Sequence, residues 1–92
     1  MAYYIALIHK ETDSDYGISF PDVPGVTAAA DTLDDAMREA AIALGFAFED
    51  WGGERPVPRT LDTLRLDPEF LDLSEDAVVA AVTPAPSLAD AA

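Results

Sequence analysis

The chain has 92 residues, half of them hydrophobic, which allows one domain with a modest core and excludes a disordered chain. Eighteen acidic residues against five basic ones give a formal net charge of −13, which disfavours direct binding to nucleic acid, itself a polyanion. Cysteine is absent, so disulfides, thiolate metal sites and cysteine nucleophiles are excluded. The five cations, Lys10, Arg38, Arg55, Arg59 and Arg65, are scattered rather than clustered. A basic partner is favoured by complementary fields, although acidity also serves simply to keep a chain soluble. The apolar stretches fall short of the roughly 20 residues a bilayer span needs. The start, Met-Ala-Tyr-Tyr-Ile-Ala-Leu-Ile-His, lacks the pattern of a signal peptide, and a cytoplasmic location is expected.

Taken in chain order, Tyr3 to His9 predicts a strand, with Tyr3, Ile5 and Leu7 on one face and Tyr4, Ala6 and Ile8 on the other. Both faces are apolar, so this strand belongs in the interior of a sheet. After the polar turn Lys10 to Asp15, the alternation Tyr16-Gly17-Ile18-Ser19-Phe20 predicts a second strand and a hairpin, with Tyr16, Ile18 and Phe20 toward the core. Pro21-Asp22-Val23-Pro24-Gly25 breaks it as a structural turn, with Gly25 in a backbone region open mainly to glycine. Val26 to Ala30 reads as a short third strand.

Thr32 is the expected N-cap of a helix with Asp34 and Asp35 in its first turn. Leu33, Met37, Ala40, Leu44 and Phe48 give an apolar stripe, and Trp51-Gly52-Gly53 ends the helix near Asp50. Glu54 to Arg59 carries two prolines and is irregular. Thr60 to Leu66 predicts a short second helix interrupted at Asp67-Pro68, and Ala77 to Val82 a final strand. Residues 1–83 thus form one domain and 84–92 a Pro/Ala-rich tail. The order β-β-β-α-(α)-β predicts an α+β fold, with an antiparallel-type sheet and the helices on one face.

Within this frame the segment Tyr16-Gly17-Ile18-Ser19-Phe20-Pro21-Asp22-Val23-Pro24-Gly25 resembles the one-letter pattern Y-x-V/A-x-F-P-D-L/V-P-G of the HicB antitoxin family. Asp31-Thr32-Leu33-Asp34-Asp35-Ala36 is similar to that family's G-D-T-L-E-E-A helix start. The resemblance extends over residues 3 to 83. It implies a partial RNase H-like fold and a role as antitoxin to HicA, a small basic toxin that cleaves messenger RNA, whose active site the antitoxin covers. Many members add a C-terminal DNA-binding module; only a Pro/Ala tail follows Val82 here, so no such module is expected. The alternative is an orphan HicB-like oligomeric module that binds another protein or a small ligand.

Catalysis is not expected, nor is a metal or cofactor. A nuclease on an RNase H-like scaffold needs converging carboxylates, one of them in the first strand, and that strand holds none. Asp22 suits a turn, Asp31 precedes a helix cap and Glu39 suits a solvated helix face. His9 stands alone as a surface residue, and Asp13-Ser14-Asp15 lacks the rest of a calcium loop.

The candidate sites are surfaces. At 100° per residue, Ile42 and Phe46 point away from the apolar stripe as an i, i+4 pair beside Asp35, Glu39 and Glu49. Either Trp51 to Pro58 folds back over them, or they form a homo-oligomer (dimer or tetramer) or partner surface with Trp51, Arg55 and Pro56 at its rim. Gly17, Ser19, Thr27 and Ala29 make a flat, small-residue sheet face that is either solvated or a second docking surface.

Overall fold

The computed structural model describes residues 3–10 and 15–85. Seven elements follow in order: β1 (Tyr4–Lys10), β2 (Tyr16–Ser19), β3 (Thr27–Ala30), α1 (Leu33–Glu49), α2 (Leu61–Leu64), α3 (Pro68–Ser74) and β4 (Val78–Val82). The strands form one antiparallel sheet in the order β3-β2-β1-β4, so β1 is interior as its two apolar faces require. The turn expected over 10–15 falls largely outside the described residues, at 11–14.

Register divides the sheet into two faces. Ile8 stands opposite Ile18, and Ile18 opposite Ala28, while Tyr4 pairs with Val82 and Ala6 with Ala80. These even positions meet Ala36, Ala40, Leu44 and Phe48 of α1, with Phe20 and Val23 closing the same core. On the reverse face Ile5 and Leu7 pack against Leu64 of α2 and Phe70 of α3 in a separate cluster. The α+β class and the antiparallel sheet therefore hold, but the expected placement of all helices on one face does not. A central strand apolar on both sides leaves two faces to cover, and the short helices cover the second.

Thr32 caps α1 by accepting the Asp35 backbone N–H at 3.1 Å, with Asp34 and Asp35 in the positive first turn. The expected stripe is displaced at its start: Leu33 and Met37 are exposed, whereas Ala36, Ala40, Leu44, Gly45 and Phe48 are buried. The buried line steps by four residues, and each such step advances about 40° round a helix. At the N-terminal end that line runs through Ala36, and Leu33 and Met37 lie to one side of it.

One helix is additional to the expectation. Asp67-Pro68, read as an interruption, starts α3: the Asp67 carboxylate accepts the Glu69 N–H at 3.0 Å and Pro68 occupies the first turn. Beyond β4, the first residues of the expected tail run against α1, where the Ala85 N–H donates to the Ala41 carbonyl at 3.0 Å. Gly45 permits this approach, since a Cβ there would collide with the Ala85 carbonyl oxygen. Residues 86–92 lie outside the described residues.

Candidate interaction surfaces

The i, i+4 spacing of Ile42 and Phe46 places them on the outer side of α1, and both stay open, Ile42 46 % and Phe46 71 % exposed. With Ala43 and Ala47 they form one wall of a shallow groove of about 390 Å³. Gly25, Val26 and the edge strand β3 from Thr27 to Ala29 form the other wall, and Glu39 is the charged residue among the lining. Thr27 and Ala29, half of the small-residue sheet face, are thus part of this groove. Gly17 and Ser19 stand beside His9 and Leu7 in the sheet and are half-buried.

Trp51 and Arg55 are not brought to that groove. The Trp51 ring meets Phe48 edge-on at 5.3 Å between centroids, and the Arg55 guanidinium lies over the same Phe48 ring at 4.8 Å. The Trp51 Nε1–H donates to the Glu54 carbonyl at 3.1 Å, and the Tyr4 hydroxyl donates to the Pro56 carbonyl. The segment after α1 does fold back, but onto the Phe48 end of the core rather than over Ile42 and Phe46. Phe48 points into the sheet side where Tyr4 offers a second ring at 5.3 Å, and that aromatic group draws the chain inward.

In the Pro21–Gly25 turn, Gly25 has φ +95°, in the left-handed region where a side chain is strained. Asp22 does more than shape the turn. Its side chain is only 8 % exposed, and its carboxylate accepts both the Arg59 backbone N–H and Nε–H, each at 2.6 Å. Arg59 also reaches Asp67 at 3.4 Å. The hydrogen bond that Arg59 donates to Asp22 raises the Arg59 pKa above its usual value, so the guanidinium stays charged. This clamp ties the β2–β3 turn to the start of α2 and the cap of α3. Sequence reading missed it because 37 residues separate the partners, and no local pattern marks such a pair.

The segment carrying α2 and α3 is of another character. Leu66, Leu71 and Leu73 are exposed there among exposed Asp62, Glu69, Asp72, Glu75 and Asp76. His9 sits at its border, with Nε2 2.9 Å from the Leu73 carbonyl oxygen, tying β1 to the end of α3. Asp31 and Glu39 line a shallow depression with Asp35 and Arg38, which pair at 3.0 Å, and Asp22 is not among its lining. Among the described residues no three histidine or carboxylate side chains gather as a metal site requires. Nor, among those residues, is any helix long and apolar enough to cross a membrane.

Comparison with known proteins places this geometry. The chain is 28 % identical to the Burkholderia pseudomallei antitoxin HicB, with a TM-score of 0.75 over 96 % of this chain and 65 % of that one. The N-terminal domain of that antitoxin, solved alone, gives 27 % identity and a TM-score of 0.71, over 91 % of this chain and 99 % of the other. A chain of a HicA3 and HicB3 toxin–antitoxin complex shares the fold at 23 % identity and a TM-score of 0.69, covering 92 % of this chain and 100 % of that one. Among curated proteins, an uncharacterised 14.9 kDa protein from the rep–hol intergenic region of Haemophilus phage HP1 is 36 % identical over 72 residues, 75 % of this chain. The chain covers 53 % of that relative's length, about half. The family model for the HicB-like antitoxin of bacterial toxin–antitoxin systems matches residues 4–89, and the chain belongs to that family.

Proposed function

We propose that this domain neutralises a small, basic, HicA-like toxin that cleaves messenger RNA, by binding it and covering its active site. The observation that carries this reading is the family match, which runs over residues 4–89 rather than over one motif. The net charge of −13 adds support, because an acidic inhibitor accelerates encounter with a cationic RNA-binding surface. The exposed Leu66, between α2 and α3, and Leu71 and Leu73 on α3 offer apolar contact inside an acidic rim, and we assign the toxin to that side. The domain, residues 1–83 on a partial RNase H-like scaffold, acts in the cytoplasm as a binding protein without catalysis of its own. It works as a homo-oligomer, and with so few cations it does not hold nucleic acid directly.

The test is co-expression with a short basic protein encoded beside this chain, followed by purification and an RNA-cleavage assay. A stoichiometric complex in which cleavage is silenced is the expected result. A toxin that cleaves equally well with this chain in excess contradicts the reading, and the domain is then an orphan module with a different partner.

A further inference from the structure

Strand β3 is an edge strand whose residues, Thr27-Ala28-Ala29-Ala30, pair only with β2 among the described residues. It carries none of the devices that usually protect a sheet edge: no lysine, no proline and no inward charge. Immediately beside it stand Ile42 and Phe46, exposed on α1. An open hydrogen-bonding edge and an open apolar pair therefore lie side by side.

We infer that a second copy of this chain occupies this groove, with β3 pairing antiparallel to its own counterpart across a two-fold axis. The two four-stranded sheets join into one of eight strands, and Ile42 and Phe46 of each copy pack against the other. Charge selects this occupant and this place. Two copies of net charge −13 repel over most of their surface. In the groove only Glu39 contributes a charge, and at its far end Asp35 is already paired with Arg38, so like charges fall at the rim. A basic partner gains nothing from so neutral a site. Symmetry limits edge pairing to a strand with its own counterpart, β3 with β3 or β4 with β4. Pairing β3 with itself is isologous and closes, whereas pairing β3 with β4 propagates without end. Charge then chooses between the two: β4 follows Glu75 and Asp76 after only Ala77, and those carboxylates would oppose a like-charged copy.

This surface supplies the self-association included in the proposed function, and its test needs no toxin, so its failure leaves neutralisation standing. Sedimentation equilibrium of the purified chain should give twice the 9.8 kDa chain mass at micromolar concentration. Phe46→Glu should weaken that association by at least about a hundredfold, the loss typical of a central apolar anchor. Ala29→Lys, which places a charge on the open edge, should act in the same direction with circular dichroism unchanged. Because the chain lacks cysteine, single nitroxide labels at Ala29→Cys and Ala81→Cys read the geometry without either disruptive variant. With strands spaced about 4.8 Å, joining β3 to β3 puts the two copies of β3 one spacing apart and the two copies of β4 roughly 34 Å apart. Short distances at position 29 and long ones at 81 are expected. A single-chain mass, the reverse distance pattern, or Phe46→Glu that keeps the doubled mass while losing a basic partner would each overturn the inference.

Discussion

The β3–α1 groove and the α2–α3 segment both expose apolar side chains, but in opposite electrostatic settings. The groove sets Ile42 and Phe46 beside small residues and a single carboxylate, Glu39. The α2–α3 segment sets Leu66, Leu71 and Leu73 among Asp62, Glu69, Asp72, Glu75 and Asp76. Exposed apolar area alone marks a surface for contact without saying with what. The surrounding charge makes the choice: an acidic chain meets its own copy where carboxylates are sparse, and a basic partner where they are dense. Each surface is also held by its own packing. The groove rests on α1 and the Ala36–Phe48 core, whereas α2 and α3 rest on Ile5 and Leu7 across the sheet.

The largest expected effect breaks the first half of this contrast. Ile42→Glu combined with Phe46→Glu buries unpaired charge in the self-contact, a cost of several kcal/mol and enough to dissociate a modest dimer. Light scattering should show a single chain with a native circular dichroism spectrum, since the buried Ala36–Phe48 line is untouched. If the variant unfolds, the pair belongs to the monomer core. If it remains folded and associated, copies meet elsewhere.

Next in size are two changes to the Pro21–Gly25 turn. Asp22→Ala removes both hydrogen bonds from Arg59 and leaves a half-buried backbone N–H without its acceptor, costing about 1–3 kcal/mol in chemical denaturation. Hydrogen exchange should quicken around Arg59 and Asp67 while α1 stays protected, because the clamp anchors the acidic segment and not the groove. Uniform loss of protection would show that the two regions are not separately held. Gly25→Val imposes a branched side chain on φ +95° at the start of β3, and a loss of roughly 1–3 kcal/mol is expected. An unchanged melting temperature with lost partner binding would make that turn a contact site.

The smallest effect concerns the other flank of α1, where residues 83–85 lie over Ala41 and Gly45. Gly45→Ala should gain up to about 1 kcal/mol of helix propensity and lose a comparable amount as Ala85 is displaced. Little net change in stability with faster exchange of the Ala85 amide is expected. Unaltered exchange there would show that the segment is not held by this approach.

Most of the sheet was legible because its signals are local. Alternation in Tyr16 to Phe20 predicts β2, the two apolar faces of β1 predict its interior place, and Thr32 before Asp34-Asp35 predicts the start of α1. The 100° spacing also isolates Ile42 and Phe46 as outward-facing. What escaped depends on contacts between distant segments. Proline at 68 ends a helix when read from its N-terminal side and starts one when Asp67 caps it, and only the packing of Phe70 on Leu7 settles which. The reverse face of the sheet needed covering because Ile5 and Leu7 are apolar, but nothing local assigns that cover to Leu64 and Phe70. The attraction of Trp51 and Arg55 to Phe48, and of Asp22 to Arg59, likewise arises only once the chain has folded.

The division between the two surfaces is tested most directly by measuring toxin affinity and self-association on one pair of variants. The pair is Ile42→Glu with Phe46→Glu, and Asp72→Lys with Glu75→Lys, each titrated against the co-expressed basic toxin and against itself. The groove variant should become a single chain and still bind toxin within a few fold of the unaltered protein. The α3 variant should remain associated and lose about tenfold or more in toxin affinity, roughly 1.4 kcal/mol, with most of the loss vanishing at high salt. Toxin binding abolished by the groove variant and unaffected by the α3 variant would contradict the division.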